Sequence, residues 1–256
     1  ARLILGGDEE SGWACMDYYF RHEEQPLMGF TPDAMFPLII AEKGIVDLEW
    51  TWTPEEADLV IAGGCRLTRL QGGERPNMVP DRAVAELTGS PAALQSIAEK
   101  SKAWNDVEAK RLQAHLEGES LHLEVHGVSA HGSTPEQGVN ALAILLRFLA
   151  ELTGLREGRD ATSRWKTLAQ WASDVTGGSL NLDLQDPVTG HLTANLGVMH
   201  FDGTTLRGVW NIRYPLDCSA EELRQRVQQA TSFARTWRVV GGHPPLHVER
   251  DHELVR

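Results

Sequence analysis

The sequence predicts an α/β chain in which an α+β domain, helices packed on one face of an antiparallel sheet, is inserted into an α/β domain represented by its two ends. Three observations carry this. Leu121, Leu123 and Val125 alternate with polar residues, and Leu206, Gly208, Trp210 and Ile212 alternate with Arg207, Val209, Asn211 and Arg213, which is the period of a half-buried strand. Leu142, Leu145, Leu146, Leu149 and Leu152 fall on or near one helical face, the arrangement needed to cover a sheet. Strands and helices mix between residues 43 and 242, whereas the first residues read as strand, turn and helix. The expected domains are residues 1–42, an insertion over 43–242, and a return to the first domain over 243–256.

Taken in order, Ala1 to Leu5 reads as a buried strand already under way, running into Gly6-Gly7-Asp8-Glu9-Glu10-Ser11-Gly12. Trp13, Met16 and Phe20 then recur at helical spacing, with Ser11 as the expected N-cap. After Phe30-Thr31-Pro32-Asp33 and the apolar run Phe36 to Ala41, Glu42-Lys43-Gly44 punctuates the chain. Ile45 to Trp52 and Leu59 to Leu70 follow in a strand-rich pattern, with Gly63-Gly64 and Gly72-Gly73 as turns or bulges. Ser90 to Leu116 sets Leu94, Ile97, Val107 and Leu112 among dense charge, which predicts surface-lying helices. The strand around Leu123 ends at Gly127, and the helix over Asn140 to Leu152 stops at Gly154. Trp165, Leu168 and Ala172 predict another helix. Ser219-Ala220-Glu221-Glu222 has the form of a capping box, and Leu223, Val227, Ala230 and Ala234 continue the helix it opens. The last residues, Asp251 to Arg256, read as a first helical turn without a stop signal, so both ends of the chain read as cut.

Composition bounds the function. Hydrophobic residues at 41% and charged residues at 23% are those of a globular protein, and no apolar run is long enough to cross a bilayer, so a membrane partner is not expected. The formal charge is -12 with no basic cluster to offset it, so a phosphate backbone would be repelled and nucleic acid is not an expected partner. Cys15, Cys65 and Cys218 are odd in number, far apart and in no chelating spacing, which fits a reducing, cytoplasmic location. The eight Trp residues sit mostly in apolar or periodic contexts and read as core.

Chemistry could sit in three places. Glu9 and Glu10 are adjacent in a Gly-flanked turn, where their side chains diverge within one small region. One can bind metal while the other handles a proton, although acids ahead of a helix also serve capping and the helix dipole. Asp33 lies in a Pro-punctuated turn before an apolar run, as either a second strand-end carboxylate or a turn residue. His131 is presented by Gly127-Val128-Ser129-Ala130-His131-Gly132-Ser133-Thr134-Pro135, a loop of small residues between strand and helix. His122 and His126 lie four apart on a strand, roughly 13 Å at about 3.3 Å per residue, too far to share one ion. No compact zinc signature, serine elbow, Walker loop or dinucleotide fingerprint is found.

The order of Gly6 to Gly12, Thr31-Pro32-Asp33-Ala34, Asn77-Met78-Val79-Pro80, Gly127 to Pro135 with Gly138-Val139-Asn140-Ala141, and Asn211-Ile212-Arg213 resembles the dinuclear zinc peptidase family. That family holds bacterial dipeptidases, carnosinase, glutamate carboxypeptidases, aminoacylase and succinyl-diaminopimelate desuccinylase. The style of Asp8 to Trp13, Met16 to Phe20 and Phe30 to Pro37 is most similar to the monomeric bacterial dipeptidases. The resemblance implies a partial catalytic domain and an inserted, enlarged lid domain, with Ser90 to Leu116 and Glu157 to Gly190 as the enlargement.

By the same resemblance, Glu9 is the general base, Glu10 a ligand of one zinc and Asp33 a ligand of the other. His131 is the lid histidine that steadies the oxyanion, and Asn77 and Arg213 hold the substrate. The implied activity is two-metal hydrolysis of dipeptides by the parent protein, as a monomer or homodimer acting on a small peptide. The upstream His-x-Asp segment, the bridging Asp and the late His are not found here, and His243, His247 and His252 lie too early to replace the last. The parent is therefore expected to hold two zinc ions, and this chain alone to bind zinc weakly or not at all and to be inactive. The alternatives are an amidohydrolase of N-acyl amino acids or succinyl-diaminopimelate, and a non-catalytic lid module for substrate capture or subunit contact.

Overall fold

The structure, a computed structural model, describes residues 2–8, 13–32, 37–105, 110–154, 161–231 and 233–256. In chain order its elements are α1 (Ala14–His22), β1 (Ala41–Glu42), β2 (Gly44–Trp52), α2 (Glu56–Leu59), β3 (Arg66–Gly72), β4 (Arg82–Thr88), α3 (Pro91–Asn105), β5 (Leu112–Glu117) and β6 (Ser120–His126). There follow α4 (Ala141–Gly154), α5 (Ala161–Ser173), β7 (Gln185–Asp186), β8 (Gly190–His191), β9 (Thr193–Phe201), β10 (Leu206–Tyr214), α6 (Ala220–Ala230), β11 (Thr236–His243) and β12 (Leu246–His247). Two compact units result, Ala1–Glu42 with Leu246–Arg256, and Lys43–Pro245.

The larger unit is built on an eight-stranded antiparallel sheet in the order β11-β2-β10-β9-β3-β4-β6-β5. Directly opposed residues share a face, and the rows Leu48–Trp210–Leu196 and Leu70–Ala85–Leu123–Ala114 define the apolar one. Leu94 and Ile97 of α3, Leu142 to Leu149 of α4, Trp165 and Leu168 of α5, and Leu223 and Val227 of α6 join the same buried cluster, so the helices cover this face. Alternate residues of the same strands, among them Asp47, Glu86, His122, Asn211 and Arg213, form a polar face on the other side.

Setting aside α2 and the β7–β8 hairpin, the sheet has two halves of one topology. β2, α5, β9, β10, α6 and β11 give a β-α-β-β-α-β unit. β3, β4, α3, β5, β6 and α4, inserted after β2, give a cyclic rotation of it with the same spatial order. The corresponding strands β3 and β9 pair antiparallel where the halves meet, as related edges would in a two-fold dimer.

Several expectations change. Leu3 and Leu5, expected in a buried strand, lie 84% and 85% exposed in irregular chain, and no strand among the described residues pairs with them. Ser11, the expected N-cap, is outside the described residues; Trp13 holds the N-cap position at φ 61°, and Asp8 Oδ1 accepts from Cys15 N at 3.0 Å. Ser90 to Leu116 is not a run of surface helices. α3 buries Leu94 and Ile97 in the core, Val107 lies outside the described residues, and Leu112 opens β5, because a strand partner in β6 outweighs local charge. Leu59 to Leu70 holds the end of α2, a 3₁₀ turn at Ala62–Gly64 and only then β3. α6 ends at Ala230, short of Ala234. Its Ser219 N-cap accepts from Glu222 N at 3.2 Å, while the Glu222 carboxylate takes Arg226 at 2.8 Å.

Candidate substrate-holding site

The site begins at a bulge. β9 and β10 pair in register until Gly197, which is skipped between Leu196 and Val198. A Cβ on Gly197 would collide with the Pro76 carbonyl, and one on Gly73, at φ +69°, with the Gly197 carbonyl, so the two glycines let residues 73–80 lie directly on β9. Asn195, 2% exposed, donates from Nδ2 to Pro76 O at 2.9 Å and to Met78 O at 2.8 Å. The carbonyls on either side of Asn77 are thereby held.

The Asn77 loop in turn holds the His131 loop. Gly132 N donates to Asn77 O at 2.7 Å, Val79 N donates to Ala130 O at 2.8 Å, and Met78 and His131 form an antiparallel bridge. Val128 and Val139 exchange both backbone bonds at 2.9 Å and close the loop at its base. Asn140 then caps α4, its Oδ1 accepting from Leu142 N at 2.9 Å, while its Nδ2 donates to Leu196 O at 3.0 Å beside the bulge. The His131 ring is oriented by Ser133, whose Oγ lies 2.7 Å from Nδ1.

Arg213 projects from β10 on the polar face. Its Nε donates to Asn211 Oδ1 at 3.2 Å, and Asn211 Nδ2 donates to Asp47 Oδ1 at 2.7 Å across to β2. Burial raises the Asp47 carboxyl above its ordinary value, against the Asn211 hydrogen bond and the Arg213 charge. A Cβ on Gly132 would sit 2.9 Å from Asn211 Oδ1 and 3.0 Å from Asn77 O, so the backbone of the His131 loop is wedged between the other two. The backbones of the Asn77 and His131 loops thus meet beside Asn211, which bonds Arg213, although the three come from distant stretches of chain.

Glu9, Glu10 and Asp33 lie outside the described residues. Among the described residues no group of three or more His, Cys, Asp or Glu is placed to hold a metal ion. His122 and His126 are half-exposed strand residues near Glu117 at 3.6 Å and Glu124 at 3.4 Å. Sequence reasoning missed Asn195 and gave Asn211 and Asp47 no role; the available signal was an amide at positions in strands that otherwise bury apolar side chains.

With this geometry in view, the comparisons are specific. Residues 119–206, from the turn before β6 to the start of β10, match the M20 family described as the peptidase dimerisation domain. The Bacillus subtilis (strain 168) protein named "Putative dipeptidase YtjP" is 35% identical over 260 residues, spanning 100% of this chain and 54% of that protein. The chain is thus similar to M20 peptidases, over residues 119–206 by family and along its whole length by the relatives' sequences. A Staphylococcus aureus (strain bovine RF122 / ET3-1) protein, "Putative dipeptidase SAB1611c", is 35% identical over 268 residues, spanning 99% of this chain and 54% of that protein. The chain spans about half the length of the curated relatives it matches. Aminoacylhistidine dipeptidase from Vibrio alginolyticus aligns with 84% of this chain and 47% of its own at 13% identity, with a TM-score of 0.36 that is too low to bear on the site.

Proposed function

We propose that the complete protein carrying this chain hydrolyses dipeptides, and that residues 43–245 supply the groups that hold the substrate. What supports this reading is that the loops carrying Asn77 and His131 are joined backbone to backbone through Gly132, and that Gly132 lies against Asn211, which bonds Arg213. The names of the relatives at 35% identity support it. A guanidinium fork matches the terminal carboxylate of a peptide in two parallel bonds. An imidazole whose Nδ1 is engaged by Ser133 is pre-oriented to steady charge developing on a carbonyl oxygen. The Asn77 amide can accept from a peptide N–H and donate to a carbonyl.

Glu9 as general base and Glu10 and Asp33 as zinc ligands belong to the proposal on the strength of the sequence motifs. Zinc bound in the complete protein would supply an activated water. Two candidate ligands are fewer than a catalytic zinc takes from protein, so the 256 residues alone are proposed to bind zinc weakly and to be inactive. The sheet joined from two like halves favours a monomer, because the β3 and β9 edges already pair within one chain. No helix among the described residues is long and apolar enough to cross a membrane, and three free cysteines favour the cytoplasm.

The test is a substrate panel of dipeptides, N-acyl amino acids and succinyl-diaminopimelate on the complete protein with and without chelator. Chelator-sensitive dipeptide hydrolysis, lost in Glu9→Ala, is the expected result. Preference for an N-acyl substrate or absence of hydrolysis would overturn it.

A further inference from the structure

The geometry points to Asn211 and Asn195 as positioning residues: Asn211 sets the guanidinium of Arg213, and Asn195 sets the backbone of Asn77. The two asparagines face each other across β10 and β9, and each is 2% exposed. A buried amide costs free energy unless its hydrogen bonds are made, and an apolar side chain would fill the same space without that cost. What the amides add is direction. The inference rests on reading Arg213 and Asn77 as substrate-holding groups.

Asn211 can lie only one way round. A guanidinium donates and never accepts, and an ionised carboxylate accepts and never donates. With Arg213 Nε on one side and Asp47 Oδ1 on the other, Oδ1 must face the arginine and Nδ2 the aspartate, as observed at 3.2 and 2.7 Å. Engaging Nε fixes the plane of the guanidinium. Asn195 uses both amide hydrogens, one on the carbonyl before Asn77 and one on the carbonyl after it. Gly132 packs against Asn211 Oδ1 and bonds Asn77 O, so the two halves of the grip are in contact. One opposed pair of side chains therefore sets the spacing between the group for the peptide's carboxylate and the group for its amide.

Two measurements decide it. In the 256-residue chain, the Arg213 Nε–H resonance, assigned by its loss in Arg213→Lys, is expected to exchange slowly with solvent. Its exchange should rise at least tenfold in Asn211→Leu and in Asn211→Asp, which sets two carboxylates face to face. The slow exchange should return in Asp47→Asn/Asn211→Asp, which reverses the polarity of that bond and keeps an oxygen on Arg213. In the complete protein, the ratio of kcat/KM for a dipeptide over its C-terminal amide should fall about tenfold in Asn211→Leu through KM, and recover in the double variant. Asn195→Asp, which keeps the shape and loses the donors, should raise KM for both substrates alike. Unchanged exchange in Asn211→Leu, or no recovery in a double variant that melts like the wild type, overturns the Asn211 assignment. An unchanged KM in Asn195→Asp overturns that of Asn195. A wild type that hydrolyses no dipeptide sinks the functional reading instead; the exchange measurement then decides the positioning of Arg213 by itself, and the Asn195 assignment falls with the reading.

Discussion

Gly132 donates its backbone N–H to the carbonyl of Asn77 at 2.7 Å, so the loop that carries His131 is fastened to the loop that carries Asn77. The fastening depends on the absence of side chains. At Gly132 a Cβ would press on Asn211 Oδ1 at 2.9 Å and on Asn77 O at 3.0 Å. At Gly197 its three nearest neighbours would all be backbone atoms of Pro76, which cannot move aside as a side chain can. Gly132→Ala is expected to cost about 1–3 kcal/mol, and Gly197→Ala more. Urea midpoints for the two variants check this, and a reversed ranking would contradict the account of the bulge.

Glu49, with its side chain 4% exposed, is gripped by Arg207 of β10 and by Arg238 of β11, the latter at 2.5 Å from Nε. Burial pushes this carboxyl up, but the Arg238 and Arg207 hydrogen bonds outweigh it and hold the group below its ordinary range. A carboxyl with a depressed folded value stabilises the fold above its unfolded pKa, about 4.3, and that contribution is lost as pH falls through the folded value. Glu49→Gln should therefore cost about 1–3 kcal/mol at pH 7, with the gap to wild type closing in acid below about pH 4. A gap that stays constant from pH 7 to pH 3 would show that the ion pairs do not carry it.

Ser133 sits 2.7 Å from His131 Nδ1, where it helps to orient the ring. In the complete protein Ser133→Ala should lower kcat by about 3- to 10-fold and leave KM nearly unchanged, whereas His131→Ala should lower kcat by about 100-fold or more. Equal losses in the two variants would mean that Ser133 does more than orient. No loss in His131→Ala would remove His131 from the chemistry.

Zinc added to the 256-residue chain tests the ligand count. Calorimetry is expected to find binding weaker than about 1 μM, because two carboxylates do not complete a zinc site. Tighter binding that disappears in Glu10→Ala/Asp33→Ala would show that the chain assembles more of a site than its described residues provide.

The long, periodic elements were legible in the sequence. α4, β6 and β10 each carry an apolar pattern that fits one period, and Ser219 announces α6. β9 was not legible, because the bulge at Gly197 shifts its buried set from Ala194 and Leu196 to Met199 and Phe201 and breaks the period of two. β4 was missed for a different reason: Ala83 and Ala85 are too small to mark an inward face.

What the sequence by itself determined is the inventory of chemistry: the motifs around Glu9, Glu10, Asp33, Asn77, His131 and Arg213, which match in order along the chain because they are short and local. Only the tertiary structure decided that the Asn77 and His131 loops meet beside Asn211 and Arg213, and through what. The Met78–His131 bridge, the Asn195 clamp and the Arg213–Asn211–Asp47 row each join residues far apart in the chain. Hydrogen bonds of that kind depend on strand register, and register is set by burying one whole face of an eight-stranded sheet rather than by any local run of residues.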